Sequence, residues 1–185
     1  HMELAGCTAL VLAGTGPVGE RAARLLAGEG ATVRVASRQS VRAEATVARI
    51  ETEVPDCTLV PVQTAGNTET LAALEGVQLV IAAGAEGIEL LPPGSWEECP
   101  SLEVAIDLNA VPPLGIAGID MMDRAADHAG KTCYGAIGVG GTKMKIHKAA
   151  LQRLFHSNDQ VLDAEVIFGI GKELEEQASG SQDRN

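Results

Sequence analysis

The sequence has 185 residues, of which 45% are hydrophobic and 21% charged, which is typical of one ordinary globular domain. This composition excludes a disordered chain and a collagen-like chain, and the four cysteines form no CxxC pair, so we expect free thiols in a reducing cytoplasm. No apolar run approaches the ~20 residues of a membrane helix. His1 and Met2 are interpreted as a tag remnant, and the sequence shows no basic and apolar leader.

The formal net charge of −11 argues against nucleic acid or an anionic membrane as a partner, and an aromatic content of 2% argues against base stacking. The charge is segregated, because residues 1–50 contain six arginines and only four acids. Residues 128–158 contain lysines, histidines and an arginine but no acid. This second stretch is either the basic face of a helix or a local field for a small anion, such as a phosphate or carboxylate.

Short apolar runs alternate with helical patterns along the chain. The predicted strands are 8–13, 31–36, 57–62, 79–83, 104–108 and 131–134. The predicted helices are 20–27, 40–53, 67–74, a short stretch around 120–128, 142–155 and 161–177. We therefore predict a single α/β domain over residues 3–177, with a doubly wound, mostly parallel sheet of the Rossmann type, and a polar disordered tail over 178–185.

A glycine motif follows the first predicted strand and opens the first predicted helix. Gly14, Thr15, Gly16, Pro17, Val18 and Gly19 form a G-x-G-x-x-G sequence. In this strand–turn–helix context the first glycine permits a tight turn, the second lets the backbone approach a pyrophosphate, and the third lets the helix pack on the sheet. The motif therefore predicts a dinucleotide-binding site at the helix N-terminus.

The residues after the second predicted strand indicate which dinucleotide is bound. An NAD site has an acid there to bind the ribose 2′-hydroxyl, whereas this chain has Ser37 and Arg38 and no acid before Glu44. A guanidinium can bind a 2′-phosphate, so we predict NADP as the cofactor.

Two further segments are candidates for ligand contact. The glycine-rich run 135–141 lacks the order of a Walker A motif, so its glycines are expected to let the backbone pass close to a ligand. Lys143 follows this run and is either a functional lysine or a solvated one. Asn109 comes directly after the predicted strand 104–108, where it either bonds a cofactor amide or forms a turn.

Several stretches resemble the methylene-tetrahydromethanopterin dehydrogenase family of methylotrophic bacteria, some members of which also use methylene-tetrahydrofolate. The stretches are VLAGTGPVG (11–19), AGAEGIELLP (83–92), AIDLNAVPPLGIAGID (105–120), GAIGVGGTKMKIHKA (135–149) and LDAE (162–165). The resemblance implies a role in one-carbon metabolism by hydride transfer between the pterin-bound methylene group and NADP or NAD.

Carried onto this sequence, the resemblance implies that Gly14–Gly19 hold the pyrophosphate and that Ser37 and Arg38 hold the 2′-phosphate. Lys143 resembles the active-site lysine of the family, which would orient or polarise the pterin. The residues in these stretches that we also predict to contact the cofactor are Ala83, Gly84, Asn109 and Gly138.

Family members of this kind have a separate N-terminal domain, whereas here Met2–Gly6 run directly into the first predicted strand. We expect either an excised cofactor domain or a naturally short relative that forms a homo-oligomer or uses a partner subunit to complete the cleft. The alternative function is an NADP-binding module without turnover, and another type of NADP oxidoreductase would not explain residues 140–149. No metal site is predicted, because no histidine has a Cys or carboxylate at ligand spacing.

Overall fold

The computed structural model describes residues 2–156 and 159–182, with the backbone alone from 179 onward. This part of the chain divides into two compact units, with the boundary between Gly138 and Val139. The prediction of a single domain over 3–177 stays a prediction. His1 of the predicted tag remnant and residues 183–185 of the predicted tail lie outside the described residues.

Within the described residues of the first unit, one sheet runs in the order β3-β2-β1-β4-β5-β7-β6. The strands are β1 Thr8–Leu12, β2 Thr32–Ser37, β3 Thr58–Gln63, β4 Leu79–Ala82, β5 Val104–Asp107, β6 Arg124–His128 and β7 Lys131–Tyr134. All neighbouring pairs are parallel except β6 and β7. The predicted doubly wound, mostly parallel sheet is therefore confirmed.

Among the described residues, three helices belong to the first unit and two to the second. They are α1 Pro17–Gly28, α2 Ser40–Glu53, α3 Asn67–Leu74, α4 Gly140–Leu154 and α5 Ala164–Gln182. α1 starts earlier than predicted, because a proline at the first helical position has a suitable φ and lacks only an N–H that would be unpaired there. α5 starts later than predicted, because the carboxylate of Asp163 accepts the Val166 N–H at 2.9 Å and caps the helix.

The two faces of the sheet pack into two separate apolar clusters. Side chains alternate along β1, so Leu10 and Leu12 belong to one cluster while Ala9 and Val11 belong to the other. α1 and α2 contribute to the cluster around Val11. On the opposite face, α3 covers part of the sheet, and the irregular segments 90–103 and 108–119, on either side of β5 in the sequence, contribute further buried residues such as Trp96 and Ile116.

The predicted helical stretch around 120–128 is wrong, because residues 124–128 form the edge strand β6. Ala129 and Gly130 both have positive φ, 54° and 77°, and they join β6 to β7 in a two-residue hairpin. This is the backbone geometry that matches the twist of two antiparallel strands. The local pattern Ala-Ala-Asp-His favours a helix, but pairing with β7 overrides that preference.

The second unit is a pair of helices. Ala150 of α4 and Ile170 of α5 are buried, and a Cβ on Gly171 would lie 3.1 Å from Cδ1 of Ile146, so the two helices approach closely there. Arg153 forms an ion pair with Glu173 across the pair. The predicted disordered tail is wrong for residues 178–182, since α5 continues through them. A glycine such as Gly180 costs a helix only about 1 kcal/mol, which does not by itself end it.

Candidate functional site

The glycine turn between β1 and α1 is packed as the sequence predicts. A Cβ on Gly14 would lie 2.9 Å from both the Val11 carbonyl oxygen and Cγ1 of Val35, and a Cβ on Gly19 would lie 2.6 Å from the Ala13 carbonyl oxygen. Neither position tolerates a side chain, because the neighbouring atoms are largely backbone. These two glycines close the turn and seat the helix on the sheet.

Gly16 has a different environment from the other two glycines. Its missing Cβ would meet nothing closer than the Ala13 oxygen at 3.6 Å, and the residue faces a cleft. It is the N-cap of α1 and provides no side-chain hydrogen bond to the first turn of the helix. Pro17 has no N–H and the Glu20 N–H is donated to the Gly16 carbonyl oxygen at 2.8 Å, so the N–H groups of Val18 and Gly19 are the ones available to an anionic group at this helix end.

The cleft has a volume of about 1070 Å³ and lies at the carboxyl ends of β1, β2, β3 and β4. Open α/β sheets bind their ligands at this edge. Eight predicted site residues line it: Thr15, Gly16, Pro17, Val18, Ser37, Arg38, Ala83 and Gly84. The structure thus brings together residues that follow three different strands.

The wall that follows β2 is cationic. Arg38 is exposed on the cleft, and its carbonyl oxygen accepts a hydrogen bond from the Gln63 side chain at 3.2 Å, which fixes the backbone. Ser37 is 6% exposed, and its hydroxyl oxygen accepts the Gln39 N–H at 3.3 Å. A second arginine, Arg42 in the first turn of α2, also lines this wall.

Sequence reasoning missed several residues of the cleft. Besides Arg42 these are Gln39 in the same loop, Thr64 and Asn67 after β3, and Ile88 after β4. The stretch from 30 to 43 contains no acid, and this signal could have indicated Arg42 as well as Arg38. Nothing in the sequence distinguished the residues after β3 from an ordinary loop.

Asn109 does not line the cleft but lies directly behind its wall. The residue is 5% exposed, and its Nδ2 would be 3.7 Å from a Cβ on the cleft residue Gly84. Its backbone N–H is donated to the buried carboxylate of Asp107 at 2.9 Å. Among the described residues its Nδ2 has no hydrogen-bond partner.

Asp107 organises the loop that follows β5. It is fully buried, and its second oxygen accepts the Ile116 N–H at 2.7 Å. Burial raises the pKa of Asp107 and outweighs the opposing effect of the backbone hydrogen bonds that it accepts. The carboxylate therefore joins the two ends of the segment 109–116 and sets the position of Asn109.

Gly138 does not line the cleft, and Lys143 belongs to the second unit. A Cβ on Gly138 would lie 1.7 Å from the Asp123 carbonyl oxygen, so this glycine is required for packing between the loop after β7 and the start of β6. Lys143 is an exposed residue of α4 in the second unit. The predicted cofactor contact of Gly138 and the predicted substrate contact of Lys143 stay predictions.

Other kinds of site receive no support from the described part of the chain. Residues 2–156 and 159–182 contain no cluster of three metal-ligating side chains. Over the same ranges, no helix combines the length and apolar character needed to span a bilayer. All four cysteines are free, and burial together with nearby Asp123 raises the pKa of Cys133 to about 11, so this thiol is unreactive.

Comparison with solved structures shows a Rossmann-type α/β fold. The transhydrogenase from Sinorhizobium meliloti superimposes with a TM-score of 0.56 over 74% of this chain and 39% of that chain, at 17% sequence identity. At this identity the likeness shows the fold alone.

Two curated relatives come from Methylorubrum extorquens strain AM1. The bifunctional protein MdtA is 43% identical over 169 residues, which cover 91% of this chain and 58% of the relative. The NAD(P)-dependent methylenetetrahydromethanopterin dehydrogenase is 30% identical over 106 residues, which cover 56% of this chain and 36% of the relative. The chain thus spans little more than half the length of MdtA and about a third of the length of the second relative. No protein-family model matches the chain.

Proposed function

We propose that the cleft binds NADP and that this chain provides the cofactor-binding part of a methylene-tetrahydropterin dehydrogenase. The observation that carries the proposal is the cleft itself, which combines an open glycine turn at Gly16 with a cationic wall at Arg38. The first turn of α1 would hold the pyrophosphate. Ser37 and Arg38 would hold the 2′-phosphate.

The choice of NADP over NAD follows from charge. No acid lies between Glu29 and Glu44, so a 2′-phosphate meets no carboxylate at the end of β2. A guanidinium forms paired, charge-assisted hydrogen bonds with phosphate oxygens. The name of one curated relative includes NAD(P) dependence, which agrees with a nicotinamide dinucleotide in this cleft.

When bound, NADP supplies the acceptor for a hydride. The chain's own contribution is then to bind and orient, since hydride transfer needs no covalent nucleophile. The segment behind the cleft wall, fixed by Asp107, would keep the side of the cleft next to Gly84 rigid. The pterin substrate is proposed from the resemblance of residues 135–149 and from the name of the second relative.

The first test concerns the cofactor. Arg38→Glu should weaken NADP binding by about a hundredfold while NAD binding changes by about threefold or less, because only the 2′-phosphate is repelled. Calorimetric titration with both nucleotides measures this. Arg21→Glu is the matched control, since Arg21 is exposed on α1 and does not line the cleft. If Arg38→Glu loses affinity for NADP and NAD equally, Arg38 does not recognise the 2′-phosphate.

The second test concerns the reaction. Absorbance at the nicotinamide band is followed with NADP and methylene-tetrahydromethanopterin or methylene-tetrahydrofolate. We expect turnover, and we expect Lys143→Ala to impair it with nearly unchanged NADP affinity, while Lys148→Ala on the same helix has little effect. Tight NADP binding without turnover of either pterin would instead support the alternative, an NADP-binding module.

A further inference from the structure

We infer that Arg42 is a second residue that recognises the 2′-phosphate, and that it contributes to the selectivity for NADP independently of Arg38. This inference rests on the proposed function. It adds to that function a residue in the first turn of α2 that the sequence alone did not single out.

The first observation is position. Arg42 is the third residue of α2, it is exposed, and it lines the same wall of the cleft as Ser37 and Arg38. The three side chains therefore approach the cleft from one place, the end of β2 and the start of the following helix. This is where the adenosine ribose of a dinucleotide lies in a fold of this type.

The second observation is the lack of a protein partner. Three other arginines of the first unit are engaged: Arg24 with Glu53, Arg49 with Glu20, and Arg34 with the carbonyl oxygens of Ala73 and Glu75. Among the described residues, no hydrogen bond or ion pair engages the guanidinium of either Arg38 or Arg42. Two unengaged guanidiniums on one cleft wall are a receptor for an anion.

The third observation is that α2 places no acidic side chain where it could form an ion pair with Arg42. Residues three and four positions further along α2 are Ala45 and Thr46, so no acid can pair with it on the helix surface. The first turn of α2 contains no acid either. A cation near a helix N-terminus is unfavourable, and a bound anion would remove this cost.

The hydroxyl of Ser37 completes the arrangement. It is buried, and in its described hydrogen bond it acts as the acceptor of the Gln39 N–H, which leaves its own proton to donate. A phosphate monoester presents three acceptor oxygens and about two negative charges. Two guanidiniums and one hydroxyl match these requirements.

The experiment compares ligands that differ by the 2′-phosphate alone. Adenosine 2′,5′-bisphosphate, 5′-AMP, NADP and NAD are titrated calorimetrically into the wild-type chain and into Arg42→Gln, Arg38→Gln and the double variant. Arg42→Gln should weaken the bisphosphate and NADP by about tenfold or more, and AMP and NAD by about twofold or less. The double variant should be weaker than either single one. Arg21→Gln serves as the control for the loss of one exposed positive charge.

Equal loss for NADP and NAD in Arg42→Gln, or a loss no larger than that of Arg21→Gln, overturns the inference. The proposed function survives that outcome as long as the wild type binds NADP, and it fails separately if the wild type binds neither nucleotide. Unfolding curves followed by Trp96 fluorescence show whether each variant is folded. If Arg42→Gln does not fold, Arg42→Lys replaces it: an intermediate loss for the bisphosphate supports the inference, and wild-type affinity contradicts it.

Discussion

The three glycines of the first turn differ in what a methyl group would meet. Gly19 faces backbone atoms at 2.6 and 2.8 Å, whereas Gly28, at the end of the same helix, has open space. The motif is therefore a packing requirement at Gly14 and Gly19, whereas Gly16 has room for a methyl group and faces the cleft.

Gly19→Ala should destabilise the protein by about 1–3 kcal/mol, because the backbone around Ala13 must move to admit the new Cβ. Gly28→Ala should stabilise it by about 0.4–1 kcal/mol through the unfolded chain. Urea unfolding followed by the fluorescence of Trp96 measures both changes. Equal effects of the two substitutions would show that the turn is not closely packed.

Asp107→Asn should cost about 1–3 kcal/mol, because an amide can accept only one of the two backbone N–H groups that the carboxylate satisfies. Asp56→Asn is the control, since Asp56 is exposed at a φ of 59°, which asparagine also tolerates. Chemical unfolding of both variants decides the matter. A change at position 107 as small as that at 56 would mean that Asp107 does not hold the loop.

At the residue scale, the sequence predicted the glycine turn and Arg38 because both depend on local spacing. Arg42 was missed because its position on the cleft depends on how the first turn of α2 is oriented against the sheet. Asn109 was predicted to bond the cofactor or to form a turn, and in the structure it is buried behind the wall. The depth of the loop after β5 depends on Asp107, whose burial no local pattern reveals.

At the scale of elements, short apolar runs predicted six strands correctly. β1 and β4 are buried along almost their whole length, whereas the edge strand β3 is largely exposed and was recognised by its apolar residues alone. The short strand β6 was missed because it is an edge strand with an exposed pattern. Its identity comes from pairing with β7 across the Ala129–Gly130 turn, and only the partner strand specifies it. The irregular segments 90–103 and 108–119, before and after β5, have no periodicity, yet they contribute to the apolar cluster on one sheet face.

Neighbouring helices are joined by ion pairs whose effect depends on pH. Arg49 of α2 donates two hydrogen bonds to the Glu20 carboxylate of α1, at 2.7 and 3.2 Å. These hydrogen bonds are the largest cause of a lowered pKa of Glu20, and burial opposes them. Because folding lowers this pKa, the pair stabilises at neutral pH, and the stabilisation is lost as the pH falls through the lowered value.

Glu20→Gln should therefore reduce the free energy of unfolding by less than about 1 kcal/mol at neutral pH, since both partners are partly exposed. The difference from wild type should shrink below about pH 4. Urea unfolding at the two pH values tests this, with Glu44→Gln on α2 as a control for charge alone. A difference that grows on acidification would contradict the assignment.

At the scale of the whole molecule, the order of strands determines where the ligand-binding edge lies. β1 lies between β2 and β4, so the chain leaves the sheet in opposite directions on either side of β1 and opens a crevice at the carboxyl ends. The cleft occupies this place and draws residues from the loops after β1, β2, β3 and β4. Topology thus places Gly16 and Arg38 on one cleft although they are 22 positions apart in the sequence.

Strand order explains where the cleft lies, but it does not identify the substrate. The resemblance of residues 135–149 names a family reaction, but Lys143 belongs to the second unit, and its role stays a prediction. The expectation that a second copy or a partner subunit completes the cleft also stays a prediction.

The proposed NADP site is tested most directly by calorimetric titration of the unmodified chain with NADP and with NAD. We expect saturable binding of NADP, at least about tenfold tighter than that of NAD, because the cationic wall after β2 meets an additional phosphate. Absence of binding for both nucleotides, or binding of NAD as tight as that of NADP, would contradict this expectation.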